Sequence, residues 1–166
     1  DNNDFATLVS ELDQHSVFEK IDVAVTPEGR PIFCLRCGQK DGRKVVVTNR
    51  AHPYETAGSY CLSAWLKQVS ASDARSNSLL ENLEFYIFPL INPDGVAAGN
   101  CCLSTSGINF GRELATASEK DSGARDLIAF ILSLAPNFYL DMHNNTGPHL
   151  NYAFRTNNAG LLKRFT

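Results

Sequence analysis

The sequence predicts an α/β fold: one domain spanning residues 1–166, built on a mixed, largely parallel sheet with helices on both faces. Three observations carry this. Strand-like and helix-like patterns alternate after an opening hairpin, the signature of crossover connections between parallel strands. The run Phe85-Tyr86-Ile87-Phe88 has no polar face, which suits a strand covered on both sides. A chain of 166 residues is long enough to bury a core of this kind.

Taken in order, Phe5, Leu8, Val9 and Leu12 recur at helical spacing, so the first fifteen or so residues predict an amphipathic helix. Ile21, Val23 and Val25 alternate as a strand, and Pro27-Glu28-Gly29 turns the chain into a second strand over 30–37. Asp41-Gly42 marks another turn before a strand over 44–49, and a helix follows His52 to about Ser70. Residues 72–82 are polar, with a short helix expected among them; 83–91 read as a buried strand stopped by Asn92-Pro93-Asp94-Gly95. A loop over 97–107 leads to a helix over 117–134, with Leu127, Ile128, Ile131 and Leu132 at core spacing and Pro136 ending it. A strand over 138–143, a polar loop over 144–149, a strand over 150–155 and a helix from 158 complete the chain.

A net charge of −3 and a pI near 5.8 argue against nucleic acid or an anionic membrane surface as partner. No apolar run approaches the roughly 20 residues needed to span a bilayer, and Asp1-Asn2-Asn3-Asp4 has no signal-peptide character. The cysteine count of 5 is odd, so a closed disulfide framework is not expected, and reduced thiols point weakly to the cytoplasm. Cys34-Leu35-Arg36-Cys37 has the spacing of a redox pair but lies within a strand pattern, where buried or half-buried thiols are the expectation.

The chemistry concentrates after strand ends, where ligands gather in such folds. His52 and Glu55 lie three apart at a strand-to-helix junction, and His143 ends a later strand. Two imidazoles and one carboxylate around an open position form the ligand set of a catalytic zinc. The plainer alternatives are a capping or core histidine at 52, a first-turn carboxylate at 55, and a surface ion pair at Arg112. His149 is either a substrate contact or solvated loop. Ser59 and Cys61 have no visible His–Asp partners, which argues against serine or cysteine catalysis.

His52-Pro53-Tyr54-Glu55, Pro89-Leu90-Ile91-Asn92-Pro93-Asp94-Gly95-Val96, Gly107-Ile108-Asn109-Phe110-Gly111-Arg112 and Asp141-Met142-His143 stand in that order. The order resembles that of the zinc carboxypeptidases. The segment from Asn92 to Arg112 looks most like the cytosolic carboxypeptidase branch. Asp141-Met142-His143-Asn144-Asn145-Thr146 is similar to the aspartoacylase and succinylglutamate desuccinylase branch. The resemblance implies a three-layer α/β/α sandwich, one zinc ion held by His52, Glu55 and His143, and Arg112 gripping a substrate carboxylate, with Asn144 lining the pocket. The implied reaction is hydrolysis of an amide next to a free carboxylate, in a peptide or an N-acyl amino acid; the remaining alternative is a non-catalytic zinc- or carboxylate-binding module.

Several positions depart from the family pattern. Asn109 stands where an Asp usually orients the first zinc histidine, Gly111 where an amide side chain helps hold the substrate, and Cys102 where the cytosolic enzymes carry an oxyanion-stabilising Arg. The family's general-base Glu is expected beyond Thr166, since Glu113 and Glu119 match no such position. The chain is accordingly expected to correspond to the family's N-terminal half. An uncovered apolar sheet edge would then favour self-association or docking of a C-terminal half.

Overall fold

The computed structural model of the chain describes residues 17–71, 74–114, 116 and 120–144, together with positions 7 and 10. The expected N-terminal helix, the strand over 150–155, the final helix, and Glu119, Asn145, Thr146 and His149 lie outside the described residues or are only touched by them.

The described strands are β1 (Glu19–Val25), β2 (Pro31–Gly38), β3 (Arg43–Asn49), β4 (Leu83–Phe88) and β5 (Phe138–Met142). They form one mixed sheet in the order β1-β2-β4-β3-β5. β1 pairs antiparallel with β2, and β2 with β4, whereas β3 runs parallel to both β4 and β5. The opening hairpin therefore contributes an antiparallel half, and the crossovers contribute the parallel half that carries the site.

Two apolar cores lie on opposite faces of the sheet. Val46, Tyr86 and Phe88 belong to one, with Leu127, Ile128 and Ile131 of helix α5 (Ser122–Leu134). Val47, Phe85 and Ile87 belong to the other, with Leu62, Leu66 and Val69 of helix α1 (Ala57–Ser70). The two-residue period of the strands sends alternate side chains to alternate faces, which is why the run from Phe85 to Phe88 of β4 is apolar toward both cores. The same rule separates Cys34 from Cys37. They lie in different cores, and burial pushes both thiols up to about 12, so neither is a redox nucleophile.

Helices α2 (Ala74–Leu80), α3 (Pro93–Ala97) and α4 (Phe110–Glu113) are short. α3 falls where the sequence suggested a turn, and α4 lies between the expected loop over 97–107 and the expected helix over 117–134. α5 begins at Ser122, five residues later than its apolar pattern suggested, because Asp121 caps it: the carboxylate accepts from the Ala124 N–H at 3.0 Å. Asp121→Ala is expected to cost about 1 kcal/mol of stability, read as a lowered midpoint in urea unfolding. At its other end Ala135 takes a left-handed conformation, φ 47°, just before Pro136.

Candidate metal centre

The parallel register brings the carboxyl ends of β3 and β5 side by side, with Thr48 opposite Asp141 and Asn49 opposite Met142. The residues that follow each strand are then neighbours. His52 and Glu55 sit in the turn between β3 and α1, and His143 directly follows β5. Their donor atoms all lie within 4.8 Å of one another. The His52 and His143 ring centroids are 4.8 Å apart, tilted by 54°.

Glu55 is the centre of this group. Its residue is 3% exposed, and it precedes α1 rather than lying in the helix's first turn. One carboxylate oxygen lies 3.0 Å from His52 Nδ1 and the other 2.7 Å from His143 Nδ1. The far nitrogens also face oxygens: His52 Nε2 lies 3.1 Å from Asn109 Oδ1, and His143 Nε2 lies 2.7 Å from Asp141 Oδ2. This arrangement fits a divalent cation. With each Nε2–H donating outward to Asn109 or Asp141, the Nδ1 lone pairs and the Glu55 carboxylate converge as ligands.

Four further features hold the turn and its surroundings. Arg50 is buried, 4% exposed, at φ 61°, and its guanidinium donates to the Pro53 carbonyl and to Ser59 Oγ. Burial lowers its pKa, and the Glu55 charge opposes that shift. Asn92 caps α3 by accepting from the Gly95 N–H at 3.0 Å and donates to the Ala51 carbonyl at 3.2 Å, which pins the residue before His52. Asp94, 3% exposed, accepts from Thr26 Oγ1 at 2.7 Å and from Arg30 at 2.8 Å, clamping α3 to the β1–β2 turn. Gly58 belongs here too, since a Cβ would sit 2.5 Å from Asn49 Oδ1.

The positions that departed from the expected pattern surround the same group. A Cβ at Gly111 would lie 2.8 Å from His52 Nε2 and 3.2 Å from His143 Cε1, so glycine is what lets α4 lie against both imidazoles. Glu113 is committed elsewhere, accepting from the Asn109 N–H at 2.9 Å and so bracing the residue that faces His52. Arg112 is exposed on α4. Cys102 is influenced by the charges of Glu55 and Arg112, and its thiol is raised above its usual value chiefly by hydrogen bonding with Cys101. Asn144 is exposed just beyond His143.

The residues that sequence reasoning missed are Asp141 and Arg50. Asp141 held a visible signal: two residues before His143 on a strand places both on one face. Its other oxygen accepts from Thr48 Oγ1 at 2.8 Å, so the carboxylate is anchored to β3. Asp141 is also the main cause that raises His143 from its ordinary 6.5 to about 9. A raised pKa means the folded state holds the proton more tightly, so this stabilisation is complete below pH 6.5 and is lost as pH climbs through about 9. The metal-free protein is expected to lose thermal stability across that window. The loss should shrink in His143→Ala, as scanning calorimetry at several pH values would show. Cation binding displaces the proton, so its affinity should rise over the same window.

Comparison with known proteins bears on this geometry. The profile of the family described as zinc carboxypeptidase matches residues 8–117. Cytosolic carboxypeptidase 2 of Danio rerio is 38% identical over 74 residues, covering 45% of this chain and 10% of that protein. Cytosolic carboxypeptidase-like protein 5 of Danio rerio is 29% identical over 123 residues, covering 70% of this chain and 13% of that protein. A metallo-carboxypeptidase from Burkholderia cenocepacia superposes with a TM-score of 0.79 at 24% identity over 85% of this chain and 40% of that one, a likeness of fold. The chain thus spans about a tenth of these curated relatives and two fifths of the solved structure.

Proposed function

The chain belongs to the zinc carboxypeptidase family, and from that premise we propose that it carries the metal-binding part of a hydrolase that cleaves an amide next to a free carboxylate. The observation that carries the reading is the convergence of His52, Glu55 and His143 donor atoms within 4.8 Å. A bound zinc would supply Lewis acidity toward the amide carbonyl and lower the pKa of a water. The two Nδ1 atoms and the Glu55 carboxylate would hold it. Asn109 and Asp141 would fix the tautomers that leave those Nδ1 atoms free, and Arg50 would keep the turn closed behind them.

Arg112 is proposed to receive the substrate carboxylate, for which a planar two-pronged donor is suited, with Asn144 at the rim. The substrate would be a peptide with a free C-terminus or, as a second choice, an N-acyl amino acid. A non-catalytic metal-binding role draws support from Cys102 and Gly111, which replace polar groups the family uses on its substrate. The relatives' names contain the word cytosolic, which supports a cytoplasmic setting, and no helix among the described residues is long and apolar enough to cross a membrane.

The experiment uses the whole protein that contains this chain, loaded with zinc. It is offered peptides with a free C-terminus, the same peptides amidated, and N-acyl amino acids. Release of the terminal residue only from the free acid, with KM raised in Arg112→Ala, is the expected result. Cleavage confined to N-acyl amino acids selects the second substrate class. Zinc bound at one equivalent without turnover of any of the three favours the non-catalytic role.

A further inference from the structure

Cys101 and Cys102 occupy the loop between α3 and α4, Cys101 exposed and Cys102 half-buried. Their sulfurs are 3.3 Å apart. The other cysteines are placed differently: Cys34 and Cys37 are buried in separate cores, and Cys61 is exposed on α1. The loop is tied at several points. The Asn100 N–H donates to the Gly95 carbonyl at 2.9 Å, and the Asn100 side chain to the Leu103 carbonyl at 3.1 Å. The Tyr54 N–H, between His52 and Glu55 in the chain, donates to the Cys101 carbonyl at 3.2 Å. That carbonyl is half of the peptide group joining the two cysteines.

We propose that Cys101 and Cys102 form a vicinal-dithiol redox site whose closure to a disulfide turns their shared peptide group and releases the Tyr54 N–H from the metal-ligand turn. A disulfide needs sulfurs about 2.05 Å apart, so the thiols at 3.3 Å must approach further. Side-chain rotation alone does not suffice. Neighbouring Cα atoms are about 3.8 Å apart, below the roughly 4.4–6.8 Å that a relaxed disulfide prefers, so the backbone between them must twist. The resulting bond is strained and therefore easily reduced, a property of regulatory rather than structural disulfides.

The oxidant class is a low-molecular-weight disulfide. The thiolate of Cys101, the more exposed of the pair, attacks one sulfur of that disulfide and expels the other half as a thiolate. The Cys102 thiolate then attacks the Cys101 sulfur of the mixed disulfide and expels the second half. Two protein thiols are oxidised by two electrons, the small disulfide is reduced to two thiols, and the two protein protons end on those thiols.

The consequence for metal affinity rests on the zinc reading above; the ring closure and the release of Tyr54 do not. The whole protein is equilibrated in buffers of reduced and oxidised glutathione. Intact mass with peptide fragmentation locates any bond, and amide hydrogen exchange follows Tyr54. The expected result is loss of two hydrogens within the segment 100–103, exchange at Tyr54 faster by about tenfold or more, and zinc affinity weaker by about tenfold. Cys101→Ser and Cys102→Ser should each show none of these changes. A stable mixed disulfide without ring closure, a bond to Cys61, or closure with unchanged exchange at Tyr54 each overturns the proposal. Closure with faster exchange in a protein that binds no zinc upholds the redox site and rejects the zinc reading instead.

Discussion

His143→Ala is expected to lower zinc affinity by on the order of a thousandfold, measured by competition with a chromophoric chelator at fixed pH. The magnitude follows from division among ligands: protein zinc sites bind with about 10–16 kcal/mol of apparent free energy, so one ligand of a three-residue set accounts for roughly 4 kcal/mol, or three powers of ten. Geometry supports a loss near the full amount. His143 faces Glu55 on one side and Asp141 on the other, at 2.7 Å each. No third imidazole stands within the convergent group, which among the described residues is His52, Glu55 and His143. Glu55→Gln should weaken binding comparably, because the amide is neutral and its nitrogen donates where a ligand must accept. Circular dichroism separates loss of a ligand from loss of fold. Affinity unchanged in both variants would remove the basis for the hydrolase reading.

The convergence of His52, Glu55 and His143 was legible in the sequence because parallel sheets bring together the residues that follow the carboxyl ends of neighbouring strands. A histidine shortly after β3 and another immediately after β5 are brought together whenever those strands are neighbours, and here they are. The buried run of β4 and the facing assignments of Cys34 and Cys37 followed from strand period alone. What lay hidden depends on backbone conformations that sequence does not announce. Arg50 takes a positive φ although it is not glycine, and that conformation turns its guanidinium inward under the ligand turn. α4 is one turn long and contains Gly111, so neither propensity nor periodicity marks it; its place is fixed by contact with two imidazoles. Asp141 was readable, since it stands two residues before His143 in a strand pattern, where the pleat places both on one face.

The outer partners of the two histidines differ in charge. The first histidine has a neutral outer partner, Asn109, while the second has an anionic one, Asp141. An outer carboxylate raises the basicity of an imidazole ligand and fixes its tautomer, and its loss costs about 10–100-fold in metal affinity. Asp141→Asn should therefore weaken zinc binding within that range. The replacement retains an oxygen able to accept from Thr48, so the strand pairing should survive. Asn109→Asp should have the opposite sign and tighten binding by about tenfold, because it adds a carboxylate 3.1 Å from His52 Nε2. In the double variant the two effects should largely cancel, since the outer carboxylate moves from one imidazole to the other with the total charge unchanged. Competition titrations on the four proteins give all three comparisons. If Asn109→Asp leaves affinity unchanged while Asp141→Asn lowers it, the outer contact on His52 is only steric, and the second histidine alone sets the strength of the site.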